Sequence, residues 1–148
     1  MEFKTIVVHV DTDKGAPARL KLAADLAARF QGHVAGLHVR RPFQAPAFTD
    51  AGPAMDSLYS TYEKAVKADE AIAMAAFRDV IGSTSLSSEW RVGDGLAEEV
   101  VSASARYADL LIIGQVGPDD VGVDLAETVG MAGEAPVLIV PTSASPSR

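Results

Sequence analysis

Asp11 closes the run Val8-His9-Val10-Asp11 and is followed by Thr12-Asp13-Lys14-Gly15. A carboxylate at the end of a buried strand projects into the space beyond the sheet, where it can accept hydrogen bonds from a ribose hydroxyl or an amine. The plainer role open to the same residue is to close the strand-to-helix turn through its own backbone. Asp13, at the entry to the first helical stretch, reads as a cap. His9 shares a strand face with Asp11, and His38 lies in a second apolar run that should pair with the first, so the two imidazoles could meet near one cleft. A metal would need a third well-placed ligand, and hydrolysis a nucleophile beside a base. No residue is assigned to either role, and the histidines are read as satisfied core residues. Arg40 and Arg41 can hold an anion at the sheet edge or stand as a solvated pair.

The second chemically informative stretch begins at Gly114. Asp124 and Glu127 have the D-x-x-E spacing of a capping box, whose side chains occupy the helix-start N–H groups that a phosphate would otherwise use. Asp119 and Asp120 add two more carboxylates, and no Lys or Arg occurs between Gly114 and Pro136. A phosphate is therefore not expected here.

Bulk charge points the same way. Thirteen basic against twenty acidic residues leave a net charge of −7 and a pI near 4.8, which opposes binding to nucleic acid or to anionic membranes. The chain has no cysteine, so thiolate chemistry and disulfides are out of reach. No apolar run approaches the ~20 residues of a membrane span, and the N-terminus lacks the pattern of a signal peptide. The expectation is a cytoplasmic protein without a metal or other bound cofactor.

These residues need a scaffold, and 148 residues suffice for one domain, expected over 1–141 with a flexible tail at 142–148. Residues 6–10, 110–113 and 137–140 are apolar on both faces and rich in β-branched residues, which predicts covered strands. Residues 34–39 and 86–92 predict two more; in the latter Leu86, Ser88, Trp90 and Val92 alternate with polar residues, as at an edge. Between the strands the period becomes helical. Leu22, Leu26 and Phe30 with Ala23 and Ala27 form one stripe; Leu58, Tyr62, Ala65, Val66, Ile72, Ala73, Ala76, Phe77 and Val80 a second; Leu96, Val100, Ala103 and Tyr107 a third, with Asp94 as its expected N-cap. Leu125, Val129 and Ala132 predict a short fourth helix. Such alternation builds a doubly wound five-stranded parallel α/β sheet with helices on both faces, order 3-2-1-4-5, whose ligand site lies where the strand order reverses. The irregular stretch 40–53, with Phe43 and Phe48, is expected to pack its rings on the long helix or to act as a lid.

The strand ending in Asp11, the strand ending Gly36-Leu37-His38-Val39, the segment Val92-Gly93-Asp94-Gly95-Leu96, the run Ala108-Asp109-Leu110-Leu111-Ile112-Ile113-Gly114 and the closing Ala135-Pro136-Val137-Leu138-Ile139-Val140-Pro141 together resemble the universal stress protein family. The resemblance implies a Rossmann-like fold, a stress-response role and a homodimer. Members that hold ATP carry Gly-x2-Gly after the fourth strand and, beyond a spacer, Gly followed by Ser or Thr. Gly114 and Gly117 fit the first pair, whereas Val123-Asp124 stands where Gly-Ser belongs, so the nucleotide site reads as degraded. If a nucleotide binds, Asp11, Val39, Gly114 and Gly117 are the positions that would hold it.

The expected function is a noncatalytic dimeric binding module acting through protein contacts or a small ligand; an ATP-binding protein with slow hydrolysis is the alternative. A redox flavoprotein would need a Ser-, Thr- or Asn-rich loop in place of the acidic stretch 11–15. The dimer is expected through Val137, Leu138, Ile139 and Val140, an edge strand lacking charged guards.

Overall fold

The computed structural model describes residues 3–44, 52–114, 125 and 135–141. Five strands, β1 (Thr5–His9), β2 (His33–Arg40), β3 (Ser87–Asp94), β4 (Leu110–Gly114) and β5 (Val137–Val140), form one parallel sheet in the order β3-β2-β1-β4-β5. Among the described residues three helices link β1 through to β4: α1 (Ala16–Phe30), α2 (Pro53–Val80) and α3 (Ala97–Ala105). The expected strand order is therefore the observed one.

The sheet has a core on each face. Ile6, Val8, Val10, Val34 and Ile112 pack with Leu20 and Ala23 of α1 and Phe77 of α2. Val7, Ala35, Leu37, Leu111 and Ile113 pack with Val101 and Ala105 of α3. Each fully buried Val, Leu or Ile contributes ~1.5–3 kcal/mol, so the central strands β1 and β4 anchor the fold. A carboxylate completes that anchor: Asp109 Oδ2 accepts hydrogen bonds from the Lys4 and Thr5 amides at 3.0 and 2.9 Å, tying the start of β1 to the chain entering β4. Gly36 is required by packing, since a Cβ there would lie 2.6 Å from the Phe77 ring and 3.0 Å from that of Trp90.

The helical faces differ from the expected stripes. In α1 the buried set is Ala16, Arg19, Leu20, Ala23 and Ala27, and Leu22, Leu26 and Phe30 are only partly covered. In α2 Ala73 and Phe77 of the expected stripe are buried, while Leu58 and Ile72 are exposed. In α3 Val101 and Ala105 are buried and Val100 of the expected stripe packs beside them, whereas Tyr107 is 80% exposed. The sheet selects the helix face that lets the chain enter and leave at the strand ends, and small residues lie flatter against it than the long ones on the neighbouring face. Asp94 does not cap α3. It ends β3, and the Leu96 carbonyl accepts from the Glu99 and Val100 amides instead. The expected fourth helix, apart from Leu125, and the tail lie outside the described residues.

Candidate functional site at the strand-order reversal

The chain leaves β1 between β2 and β4, where the connections turn to opposite faces. Immediately beyond the strand, Asp11 Oδ1 accepts the Asp13 amide at 3.0 Å and Asp13 Oδ2 accepts the Gly15 amide at 2.9 Å. Two successive Asx turns thus lead into α1, which begins with Gly15 as N-cap and Pro17 in its first turn. Asp13, expected as a cap, acts in the turn before the helix, its carboxylate accepting the amide of Gly15, the N-cap residue itself.

One turn into the helix, Arg19 points back under the loop. It is 1% exposed. Its Nη1 donates to the His9 carbonyl and its Nη2 to Asp11 Oδ1 at 2.7 Å, with Asp13 Oδ2 3.7 Å away. A Cβ on Gly114 would lie 3.1 Å from both Cζ and Nε of Arg19, so the end of β4 closes over the guanidinium. The first glycine of the Gly-x2-Gly stretch has a reason inside the fold, namely room for Arg19.

The titratable groups are tuned away from neutrality. Burial pushes the Asp11 carboxyl up, but the Arg19 charge, His9, and hydrogen bonds from Arg19 and the Asp13 amide outweigh it and hold the group below its ordinary value. His9 is lowered to about 4, mainly by burial, with Arg19 and His38 acting in the same sense and Asp11 opposing. The two histidines do not meet on one face. His9 follows the parity of Val7, toward α3, whereas His38 stacks on Trp90 on the α2 side and pairs its Nδ1 with the Val10 carbonyl at 2.9 Å. The register His9↔Leu37 is what separates them.

Asp11, His38, Val39, Arg41, Val66 and Asp69 line a cavity of about 110 Å³ at the C-terminal ends of β1 and β2. Beside it, sharing Arg41, is a wider apolar depression of about 470 Å³ between α2 and the chain leaving β2, lined by Phe43, Leu58, Tyr62, Ala65 and Leu96. Phe43 packs on Tyr59 and Tyr62, and the Tyr62 hydroxyl donates to the Arg41 carbonyl at 2.6 Å. Packing on the long helix, as expected for this stretch, thus holds for Phe43; Phe48 lies outside the described residues. Arg40 and Arg41 stand as an exposed pair, each beside a carboxylate: Arg40 bonds Glu70 at 2.8 Å and stands 3.7 Å from Asp94, and Arg41, 70% exposed, stands 3.7 Å from Asp69.

The Universal stress protein family model matches residues 2–141. The chain belongs to the universal stress protein family. Among solved structures similar to this stress-protein domain are universal stress protein UspA from Lactobacillus plantarum (21% identity, 95% of this chain and 99% of that chain, TM-score 0.72), a universal stress protein in complex with cAMP (20%, 97% and 100%, 0.61) and a family member from Arabidopsis thaliana with AMP bound (14%, 95% and 93%, 0.65). At these identities the likeness is one of fold. No curated protein sequence matches the chain significantly.

Of the expected site positions in this stress-protein domain, Asp11 and Val39 come together in the small cavity, and Gly114 stands behind Asp11 across Arg19. Gly117, Asp119, Asp120, Asp124 and Glu127 lie outside the described residues. Among the described residues no group of three His, Asp or Glu side chains could hold a metal, and no helix is long and apolar enough to cross a membrane. Sequence reasoning passed over Arg19. Its signal was a charge inside the buried stripe formed by Ala16, Leu20, Ala23 and Ala27.

Proposed function

We propose that this universal stress protein is a noncatalytic, homodimeric stress-response module of the cytoplasm whose cleft takes the nucleoside part of a small ligand at Asp11 and Val39. The observation that carries the reading is the tuning of the cleft. A general base works best with a pKa near the operating pH. Asp11 is ionised and tied to Arg19, His9 is buried and neutral, and His38 Nδ1 is engaged with a backbone carbonyl. Such groups recognise a ligand better than they transfer its protons. The small cavity is below the ~300 Å³ at which whole-ligand pockets begin, so it suits one ring or one sugar. The relatives with cAMP and AMP bound support a nucleoside as that part. Support for the dimer comes from β5, a sheet-edge strand with Ile139 43% exposed.

Calorimetry with AMP, cAMP and Mg-ATP, alongside mass spectrometry of molecules retained on purification, tests the reading. The expected result is binding of a monophosphate, no tight ATP binding and no phosphate release. Steady ATP hydrolysis that disappears in Asp11→Asn would favour the ATPase alternative, and indifference to every nucleotide would remove the nucleoside. Light scattering tests the dimer, which a monomer mass at tens of micromolar chain would overturn.

A further inference from the structure

The hydrogen bonding of Asp11 is one-sided. Arg19 Nη2 and the Asp13 amide both donate to Oδ1, and among the described residues none donates to Oδ2. Two donors converging on one oxygen fix the carboxylate's rotation and leave its other oxygen for the cavity that Asp11 lines. The guanidinium is itself held on two sides, hydrogen-bonded to the His9 carbonyl on one and covered by the Gly114 backbone on the other. Its side chain is 2% exposed against 41% for Asp11, so it lies behind the recognition group. A site held in place by a buried, hydrogen-bonded support is the arrangement that selects ligands by geometry.

We propose that Arg19 is a positioning residue for ligand recognition: it holds Asp11 as an oriented, ionised acceptor and so selects ligands that present a ribose hydroxyl to Oδ2 over analogues lacking one. The inference rests on the nucleoside reading of the cleft and names the residue that makes that reading specific. An ionised carboxylate accepts and cannot donate, so loss of the donor from the ligand leaves Oδ2 desolvated and unmatched.

Two readouts test this on wild type, Arg19→Gln and Arg19→Lys, each verified as folded by circular dichroism. The first is the titration of the Asp11 carboxyl followed by carbon NMR, which requires no ligand. The second is the affinity ratio between AMP and its 2′,3′-dideoxy analogue. Wild type is expected to prefer AMP by about tenfold or more. Arg19→Gln is expected to lose that preference and to raise the Asp11 titration toward the ordinary carboxylate range. Arg19→Lys keeps the charge without the planar fork, so the titration stays low while the preference falls. An unmoved titration in folded Arg19→Gln, or full preference in either variant, overturns the inference. If wild type binds no AMP, the nucleoside reading fails, and the titration alone still decides whether Arg19 controls Asp11. If Arg19→Gln does not fold, the preference measured in Arg19→Lys is decisive.

Discussion

Two arginine–carboxylate pairs occupy opposite regions of the sheet, and their carboxylates are equally exposed. At the strand-order reversal Arg19 holds Asp11; on the outer β2–β3 ladder Arg91 holds Glu89 with two hydrogen bonds, at 2.8 and 2.9 Å, and His33 bridges Glu89 and Ser87 at 2.8 and 2.7 Å. Asp11 and Glu89 are each 41% exposed. The cations differ: the Arg19 side chain is 2% exposed and that of Arg91 36%. A solvated pair is worth ~0–1 kcal/mol, whereas a buried cation deprived of its partner costs ~3–5 kcal/mol. Burial of the cation, rather than quality of the hydrogen bonds, makes the first pair a structural commitment and leaves the second replaceable.

The largest expected effect is that of Asp11→Ala, which strands the buried guanidinium. Asp13 remains 3.7 Å away and offsets part of the loss, so about 3 kcal/mol of destabilisation is expected, the low end for breaking a buried pair. Denaturant unfolding measures it, and a cost no greater than that of Glu89→Ala would erase the contrast between the regions.

Next comes pH. The folded pKa of His9 lies below its unfolded value, so the folded chain binds fewer protons and stability falls as pH drops from 6.5 toward about 4. The accumulated loss is about 3 kcal/mol at one pKa unit per 1.36 kcal/mol. His9→Gln should flatten the unfolding profile in that window if it folds. Glu89, lowered to about 2 chiefly by its hydrogen bonds from Arg91 and His33, contributes stability above 4.5 that disappears as pH falls toward 2. Asp11, also held below its ordinary value, adds a loss at the strand-order reversal in that same acid range, so only the window from 6.5 to 4.5 belongs to the reversal alone, and a profile flat across that window would contradict the role given to His9.

Gly114→Ala follows at about 1–3 kcal/mol, the usual cost of overpacking. Because the Cβ would meet the guanidinium and not the backbone, the cost should shrink by more than half in an Arg19→Met background, and a double-mutant cycle measures that coupling. Full additivity would mean that something other than Arg19 demands the glycine. The smallest effect belongs to Glu89→Gln, expected below about 1 kcal/mol and further reduced in 0.5 M salt, where screening shortens to roughly 4 Å. A larger, salt-insensitive loss would show that the outer pair is not the solvated one described.

The chain's repeating patterns made its architecture legible. Residues 6–10 and 110–113 could be recognised as doubly covered strands because burial on both faces leaves almost no polar position, His9 excepted, and the helical segments between the strands pointed to right-handed crossovers and the order 3-2-1-4-5. Asp11 was legible for the same reason, since the end of a central strand is a place defined by topology. The helix faces were less so. Several stripes can be drawn on an Ala-rich helix such as α1: the expected one held Ala23 and Ala27, which the sheet covers, but hydrophobic content favoured Leu22 and Leu26 beside them over Ala16 and Leu20.

The amino-acid sequence by itself indicated the family through the resemblance of its motifs, and it indicated the strand order and the position of Asp11 at the cleft through local period and connection rules that act along the chain. Tertiary structure alone decided that Arg19 is the partner of Asp11, that Gly114 makes room for it, and that His9 and His38 face opposite sides of the sheet. Those outcomes depend on the one-residue register between β1 and β2 and on which face of α1 meets the strands. An arginine in a helix is solvated by default. Only the convergence of the His9 carbonyl, the Asp11 carboxylate and the Gly114 backbone on one point supplies enough compensation for its charge to be buried.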